Sequence, residues 1–332
     1  MGQGELAIRA SMSPAQLCLV EKDRVSPTIR TVERLAEALG ISLTDLFSAD
    51  SFSDAKSQRE MIATLPGDYI ALRRNEPAAA KTLSAIIKDE EELGNIEDER
   101  GISSACDIFP KFASARLEGK GAAIAGEVRK LLGTGLAPFG DLAATLDFRG
   151  VRIYKIPLQY QAQSVALWNK SRKSLSIILD ERNTPERDLY RLAYELGSAC
   201  IFIAEAFTPI EDTHAQHRFL SDFSAEFLMP AATVRQFVAE TGISRTSWTL
   251  EAVCALKARF GASAEAFALR LEELGLIDPS LRIRIRDSLR EHYAAHPACM
   301  EPAPSIPPLN ISPRRALLAQ TTSAAKQIFN HA

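Results

Sequence analysis

Long apolar runs are missing from this chain. No stretch of its 332 residues approaches the roughly 18 or more apolar residues of a membrane-spanning helix. The N-terminus also lacks the basic-then-apolar layout of a secretion signal, so the expected location is cytoplasmic, with no membrane partner. Cysteine and histidine are scarce, at five each. Cys18, Cys106, Cys200, Cys254 and Cys299 are scattered, without a C-x-x-C pair, which excludes a zinc knuckle or thioredoxin-type motif and leaves reduced thiols. Basic charge is not in excess either. With 39 Lys and Arg against 42 Asp and Glu, the net charge is -3, which excludes a broadly basic nucleic-acid coat but leaves room for a local basic surface. No internal repeat is present.

What remains is ordinary globular material, 46% hydrophobic and 24% charged, enough for two or three packed domains. The expected class is mainly α with a small β-sheet. Residues 1–50 have helical periodicity and end in a polar cluster, Ala49-Asp-Ser-Phe-Ser-Asp54. Residues 51–102 read as a helical and acidic linker, because the dense acidic run Lys88 to Arg100 repels itself unless solvated and so favours an exposed helix end or hinge. Residues 103–293 form a second domain. A helix is predicted from Gly119 to Leu132, strands at Val151 to Ile156 and Ser174 to Leu179, and a strand at Ser164 to Trp168 paired with the first of these in a short antiparallel sheet. Helices dominate after Pro185. Residues 294–332 read as a proline-rich tail, extended at first, with a short helix near Arg314 to Phe329. In Leu281-Arg-Ile-Arg-Ile-Arg-Asp-Ser-Leu-Arg290 the arginines alternate as on a strand face within a helical context, and a solvated face is expected.

The N-terminal segment carries the clearest positive pattern: a helix through Glu5-Leu6-Ala7, a tight turn at Ser11-Met12, and a second helix opening at Ser13-Pro-Ala-Gln16. Ser13 suits the N-cap, Pro14 the first helical position, and Gln16 completes a capping box. With Val20-Glu21, Arg24, Pro27, Leu35-Ala36, Leu39-Gly40 and Leu46-Phe47 in register, this segment resembles the XRE (Cro and phage-repressor-like) helix-turn-helix family over about 45 residues. Ser11 stands where that family has a turn glycine, and Asp23 where it often has Gly. The family's first helix, which would precede Gln3, has no counterpart here. The resemblance implies a double-stranded DNA operator. Gln16, at the start of the second helix, is the candidate for a base edge because its amide can pair with adenine. Ser13 sits at the same helix start, and Gln3, Lys22, Arg24 and Arg30 are candidates for phosphates.

The second domain contains Arg191-Leu-Ala-Tyr-Glu-Leu-Gly-Ser-Ala-Cys200. An H-E-x-x-H helix places two histidines one turn apart, where both reach one zinc, with the Glu between them as general base. Here Tyr194 and Ser198 occupy the histidine positions and only Glu195 remains. Together with the strands and with Phe223-Ser-Ala-Glu-Phe-Leu-Met-Pro230, the stretch resembles the ImmA/IrrE family of zinc-peptidase-like domains over about residues 115 to 280, which implies a zincin-like fold. That family places an acidic third ligand six residues before the Phe of its F-A-x-x-L-M-P stretch, where this chain has His217. No catalytic residue or cofactor is therefore expected. A metal held by Glu195, His214 and His217 is the weaker alternative. Leu189, Leu192, Leu196, Cys200, Ile203 and Phe207 recur at helical spacing and predict a core stripe, with Cys200 a buried inert thiol. Tyr194, Glu195 and Ser198 are predicted to face a cleft or solvent.

The two resemblances together imply a bacterial transcription regulator, a homodimer reading two half-sites. Its degenerate peptidase-like domain would serve as sensor or docking module for a small effector, such as the short-chain acyl-CoA that some relatives sense, or for a partner protein. The competing readings are a metallopeptidase with a rearranged metal site and an interaction protein of a phage or mobile element that binds no DNA.

Overall fold

The computed structural model describes residues 3–21, 31, 34, 35, 37, 38, 61–63, 77–99, 101, 105–110, 117, 119–158, 163–169, 172–203, 213–296 and 300–309. The chain divides into two units, Met1–Arg59 and Glu60–Ala332.

In the first unit, helices α1 (Gln3–Arg9) and α2 (Pro14–Glu21) are joined by a tight turn. Ser11 adopts φ 52°, the left-handed region in which glycine is at ease and a short polar side chain is tolerated. Ser13 and Gln16 form the reciprocal capping box that their spacing predicts. The Gln16 amide donates to Ser13 Oγ at 3.1 Å and the Ser13 amide to Gln16 Oε1 at 3.2 Å, so two orphan donors at the helix start are satisfied together. Ala7, Ala10, Leu17 and Leu35 form a small buried cluster. Arg34 donates to the Ser11 carbonyl at 3.3 Å, which helps fix the turn.

The second unit is built on a sheet with strand order β1-β3-β4-β2, formed by β1 (Met61–Ala63), β2 (Val151–Ile156), β3 (Ser164–Asn169) and β4 (Ser174–Asp180). The α+β class holds, but the sheet is mixed. β3 forms an antiparallel hairpin with β4, with Ser164 opposite Leu179, and β2 pairs with β4 in parallel, with Val151 opposite Leu175. The expected antiparallel pairing of β2 with β3 is therefore corrected. The reason lies in β4, where every residue is buried, the mark of a central strand flanked on both edges.

Each face of the sheet carries its own core. Val151, Ile153, Ala166, Trp168, Leu175, Ile177 and Leu179 face the large helical core, whereas Tyr154, Val165, Leu167 and Ile178 face Ile86 and Ile87 of α3 (Pro77–Glu99). The acidic run lies on this helix, and its predicted exposure is only half right. Glu92 and Asp98 are not buried, but Glu90 and Glu97 are. Glu90 accepts from Arg152 and from the Tyr154 hydroxyl, and Glu97 accepts from the other arm of Arg152. Ile86, Glu90, Leu93 and Glu97 follow one another at three or four residues, so they share one helix face, and the sheet supplies the cation that lets two acids lie there.

On the other face lie α4 (Gly121–Leu132), α5 (Leu142–Asp147), α6 (Pro185–Ile203), α7 (Thr213–Leu228), α8 (Ala231–Thr241), α9 (Leu250–Phe260), α10 (Ala264–Glu273) and α11 (Pro279–Ala295). Side chains of Asp141, Thr249, Ser263 and Asp278 cap α5, α9, α10 and α11, which sets the helix starts sharply. Phe219, Phe223 and Phe227 recur every four residues along α7 as a stacked row, with centroids 6.2 and 5.6 Å apart. Arg129 lies buried beside this row, with its guanidinium 4.3 Å from the Phe139 ring, and donates to the carbonyls of Gly135, Ala137 and Phe227. It thereby ties the turn after α4 to the end of α7. The arginine-rich segment is helical, and Arg282, Arg286 and Arg290 of α11 form surface ion pairs with Glu272 and Asp287.

The segment 300–309 is irregular, as its prolines dictate, but it does not hang free. Glu301 accepts from Tyr293 at 2.9 Å and from the Ala264 amide at 3.0 Å, Ser305 donates to Glu186, and Ile306 and Leu309 pack on the helical core. The short helix predicted near Arg314 to Phe329 lies outside the described residues. Among the described residues no helix is long and apolar enough to cross a membrane.

Candidate functional site

Helix α6 positions the stretch that carries Tyr194, Glu195 and Ser198. Pro185 occupies its first position, the Arg187 amide reaches Thr184 Oγ1 at 3.4 Å, and Glu186 and Asp188 lie in the first turn, where the helix dipole favours acids. Leu189, Leu192, Leu196 and Cys200 form the predicted core stripe, with Ile203 packed against it; Phe207 lies outside the described residues. At Gly197 α7 packs tightly against α6, since a Cβ there would lie 2.9 Å from Phe223 Cδ1. Only a hydrogen fits between the two helices at that point.

The retained positions turn inward more than the sequence predicts. Glu195 and Ser198 are 1% and 2% exposed, and Tyr194 is half-buried. Glu195 Oε1 accepts from Ser164 Oγ of β3 at 2.6 Å. The Tyr194 hydroxyl and His217 Nδ1 of α7 share a 3.3 Å hydrogen bond, and the Arg191 guanidinium sits 5.5 Å from the Tyr194 ring. Arg191 also donates to Gln163 Oε1 at 2.8 Å. Gln163 and Ser164, neighbours at the start of β3, are thus bonded to Arg191 and Glu195, one turn apart on α6. The helix is clamped to the strand by two polar contacts. The buried Ser198 hydroxyl has no hydrogen-bond partner among the described residues.

These donors do not fit a zinc ion. A phenol, an aliphatic hydroxyl and one imidazole replace two imidazoles and a carboxylate, and neither hydroxyl is deprotonated readily enough at neutral pH to ligate zinc. The residues of the alternative set are divided between surface and interior. His214 and His217 are exposed whereas Glu195 is buried, and no group of three His, Cys, Asp or Glu among the described residues could hold a metal.

The thiols offer no nucleophile in the core. Burial raises the Cys200 thiol well above its usual range, with Cys106 nearby adding to the effect, and burial pushes Cys106 up to about 12. At pH 8 a thiol of pKa about 12 is ionised roughly one part in ten thousand. Treating the folded chain with a maleimide should leave Cys106 and Cys200 unmodified, and both should react once urea unfolds the domain. Mass spectrometry showing rapid labelling of either in the folded chain would contradict this burial.

Nothing in the sequence announces a cavity of about 530 Å³ one turn back along the same helix, between Tyr190 and Arg191 of α6, Ser221 and Ala225 of α7, and Leu269 and Arg270 of α10. It falls in the size range of small-molecule sites. None of Tyr194, Glu195, Ser198 and His217 lines it. The signal available is the spacing: Tyr190 and Arg191 precede Tyr194 and Glu195 by four residues, so they continue the same face of α6.

Of the candidate DNA-binding residues, Ser13 and Gln16 are exposed at the start of α2. The Gln16 Oε1 is engaged in the capping box, which leaves its NH₂ group for a base and removes the two-pronged pairing with adenine while the box is closed. Gln3 lies on α1, and its side chain is outside the described residues, as are Lys22, Arg24 and Arg30 entirely.

No curated protein matches the chain. The family model described as the IrrE N-terminal-like domain matches residues 147–272, from just before β2 to the end of α10, and so takes in the whole frame of Tyr194, Glu195, Ser198 and His217.

Proposed function

We propose that this chain is a DNA-binding regulator whose IrrE-like domain works as a sensor or docking module without peptidase chemistry. The observation that carries the reading is the internal pairing of the old catalytic frame. Tyr194 bonds His217 and Glu195 accepts from Ser164 of β3, so three of the groups that a peptidase would turn toward a metal and its water are engaged within the protein. The frame runs from the buried Glu195 and Ser198 to the exposed His217, a shaped surface that suits recognition better than hydrolysis. The cavity beside it supplies a volume for an effector. The capped α2 behind a tight turn supports a helix-turn-helix role for the first unit, and a homodimer presenting two such units would read paired half-sites.

An electrophoretic shift with the full chain and DNA from upstream of its own coding region tests the reading. The expected result is a discrete, salt-sensitive complex. Changing Lys22, Arg24 and Arg30 together to alanine should weaken it on all sequences and flatten the slope of log K against log salt by about one for each phosphate no longer engaged. A chain that binds no DNA at low salt, or a triple variant with an unchanged slope, would sink the assignment.

A further inference from the structure

The segment 300–309 is attached through side chains. Among the described residues, no backbone–backbone hydrogen bond joins it to the rest of the unit. Glu301 makes the best-furnished attachment. Its two oxygens accept from the Tyr293 hydroxyl at 2.9 Å and from the Ala264 amide, the first of α10, at 3.0 Å, and Lys257 Nζ lies 3.4 Å away. Lys257 is fully buried, and its ammonium makes no hydrogen bond among the described residues. The acids that meet its charge are Glu301 and, at 3.6 Å, Glu186. Burial and then the charge of Glu301 raise the Tyr293 phenol above its usual range, which keeps it a donor at any working pH. A buried ammonium, a phenol and a helix N-terminus are the parts of a carboxylate receptor. The chain fills that receptor with its own Glu301.

Farther along, anchors alternate with solvent. Ala303, Pro304 and Ser305 are exposed, yet Ser305 Oγ and the Ile306 amide donate to Glu186, and Ile306 and Leu309 pack on the helical core. Ile306 lies against the turn between α9 and α10, where a Cβ built on Gly261 would come within 3.3 Å of Ile306 Cδ1. A segment with few anchors, exposed residues and no backbone ladder is where local opening costs least. Cys254, one turn before Lys257 on α9, is 5% exposed. Burial raises its thiol, Lys257 opposes that rise and Glu301 adds to it, so the latch and the thiol are electrostatic neighbours. We propose that residues 300–309 are a releasable strap, latched by Glu301 in the receptor of Lys257, Tyr293 and the Ala264 amide, whose opening bares Cys254 and removes part of the wall of the cavity beside α6. Glu301 lines that cavity, so the open and closed strap present different volumes to a ligand. Opening also takes away the acid that opposes Lys257 at the thiol, so the thiolate fraction of Cys254 rises together with its access. The device holds or fails independently of DNA binding.

Labelling of the full chain with a maleimide at pH 8, followed cysteine by cysteine in a mass spectrometer, tests the strap. In the parent chain Cys254 should label slowly. Glu301→Gln keeps the size of the latch and removes the charge that Lys257 faces, while Ile306→Asp loosens the other end of the segment. Each should raise the Cys254 rate by about tenfold or more. Cys106 and Cys200 serve as internal gauges, because they stay unmodified as long as the core is folded. A Cys254 rate unchanged in both variants overturns the proposal, since the segment then does not cover the thiol. A rise confined to one variant overturns it as well, because the segment then does not open as one unit. So does a rise matched by Cys106 and Cys200, which would place the segment within the core and not over it, and so does labelling of Cys254 in the parent as fast as in the unfolded chain.

Discussion

Replacing Arg152 by methionine is expected to destabilise the second unit by about 3–5 kcal/mol and to lower its melting temperature by about 10 °C. Arg152 bonds two acids of α3 that lie on the sheet side of that helix, Glu90 and Glu97, each essentially without solvent exposure. Burial alone would depress its pKa, but Glu90 and Glu97, aided by Tyr154, outweigh that and leave it raised. The guanidinium is therefore held charged. Methionine fills much of the same volume without charge, so the loss is electrostatic: two carboxylates remain in a low-dielectric layer without the cation that both of them face. The sign of the pH dependence follows. Orphaned carboxylates have folded-state pKa values raised above the unfolded ones, so the variant is relatively more stable when they are protonated and loses that stability as pH rises through the raised values. The deficit against the parent chain should be largest at neutral pH and shrink in acid. Urea unfolding followed by circular dichroism at several pH values measures it. Combining Arg152→Met with Glu90→Gln and Glu97→Leu should recover most of the loss, because a neutral layer is often no worse than a buried ion triad. An Arg152→Met variant within about 1 kcal/mol of the parent at neutral pH would show that the triad is solvated and that α3 is held by Ile86 and Ile87 alone.

The same triad shows what the sequence conveys and what it hides. Capping at Ser13 and Gln16 is legible because both partners lie within one turn of helix, and the core stripe of α6 because Leu189, Leu192, Leu196 and Cys200 repeat at helical spacing. The strands β3 and β4 are legible as two apolar runs close in sequence. The parallel pairing of β2 with β4 is not, since alternation along Val151 to Ile156 specifies which residues share a face and says nothing of the neighbouring strand. Read as a charge run, Lys88 to Arg100 looks solvated. Projected on a helix, Glu90 and Glu97 fall in line with Ile86 and Leu93, and the buried Arg152 that makes this possible comes from a strand far along the chain. The segment 300–309 is hidden for a related reason. Proline content predicts that no regular element forms but not that Glu301 and Ser305 dock against a buried lysine and glutamate. Of the site, the helix and its Tyr194, Glu195 and Ser198 are legible from one stretch of sequence. The inward turn of Glu195 and Ser198 is not, because it depends on Ser164 of β3 and on how closely Gly197 lets α7 approach.

That closeness sets up the other large effect. Changing Tyr194 to His, Ser198 to His and His217 to Glu in one chain should create stoichiometric zinc uptake that the parent chain is expected to lack. Positions 194 and 198 are one turn apart on α6, and the Tyr194 hydroxyl already reaches the His217 ring at 3.3 Å, so three new donors would converge from two helices held together by the row of Phe219, Phe223 and Phe227. Ser198 is buried, and its hydroxyl has no partner among the described residues, so replacing it breaks no hydrogen bond among them. A histidine is larger, and accommodating it beside α7 is the principal cost, on the order of 1–3 kcal/mol for overpacking. Binding of a metal to the folded chain offsets this. At a free zinc concentration one hundred times the dissociation constant, the gain is about 2.7 kcal/mol, enough to raise the melting temperature of the variant by several degrees on adding zinc, with the rise reversed by a chelator. The parent chain should show neither the bound metal nor the shift. Zinc content measured on both proteins after dialysis, together with the two melting curves, decides the matter. Uptake by the parent would mean that Tyr194, Ser198 and His217 ligate metal after all and would return the peptidase reading to contention. Failure of a folded triple variant to take up zinc would mean that the frame around Glu195 has drifted from the geometry of a metal cage as well as losing its ligands, so that its present hydrogen bonds have reshaped the site for another use.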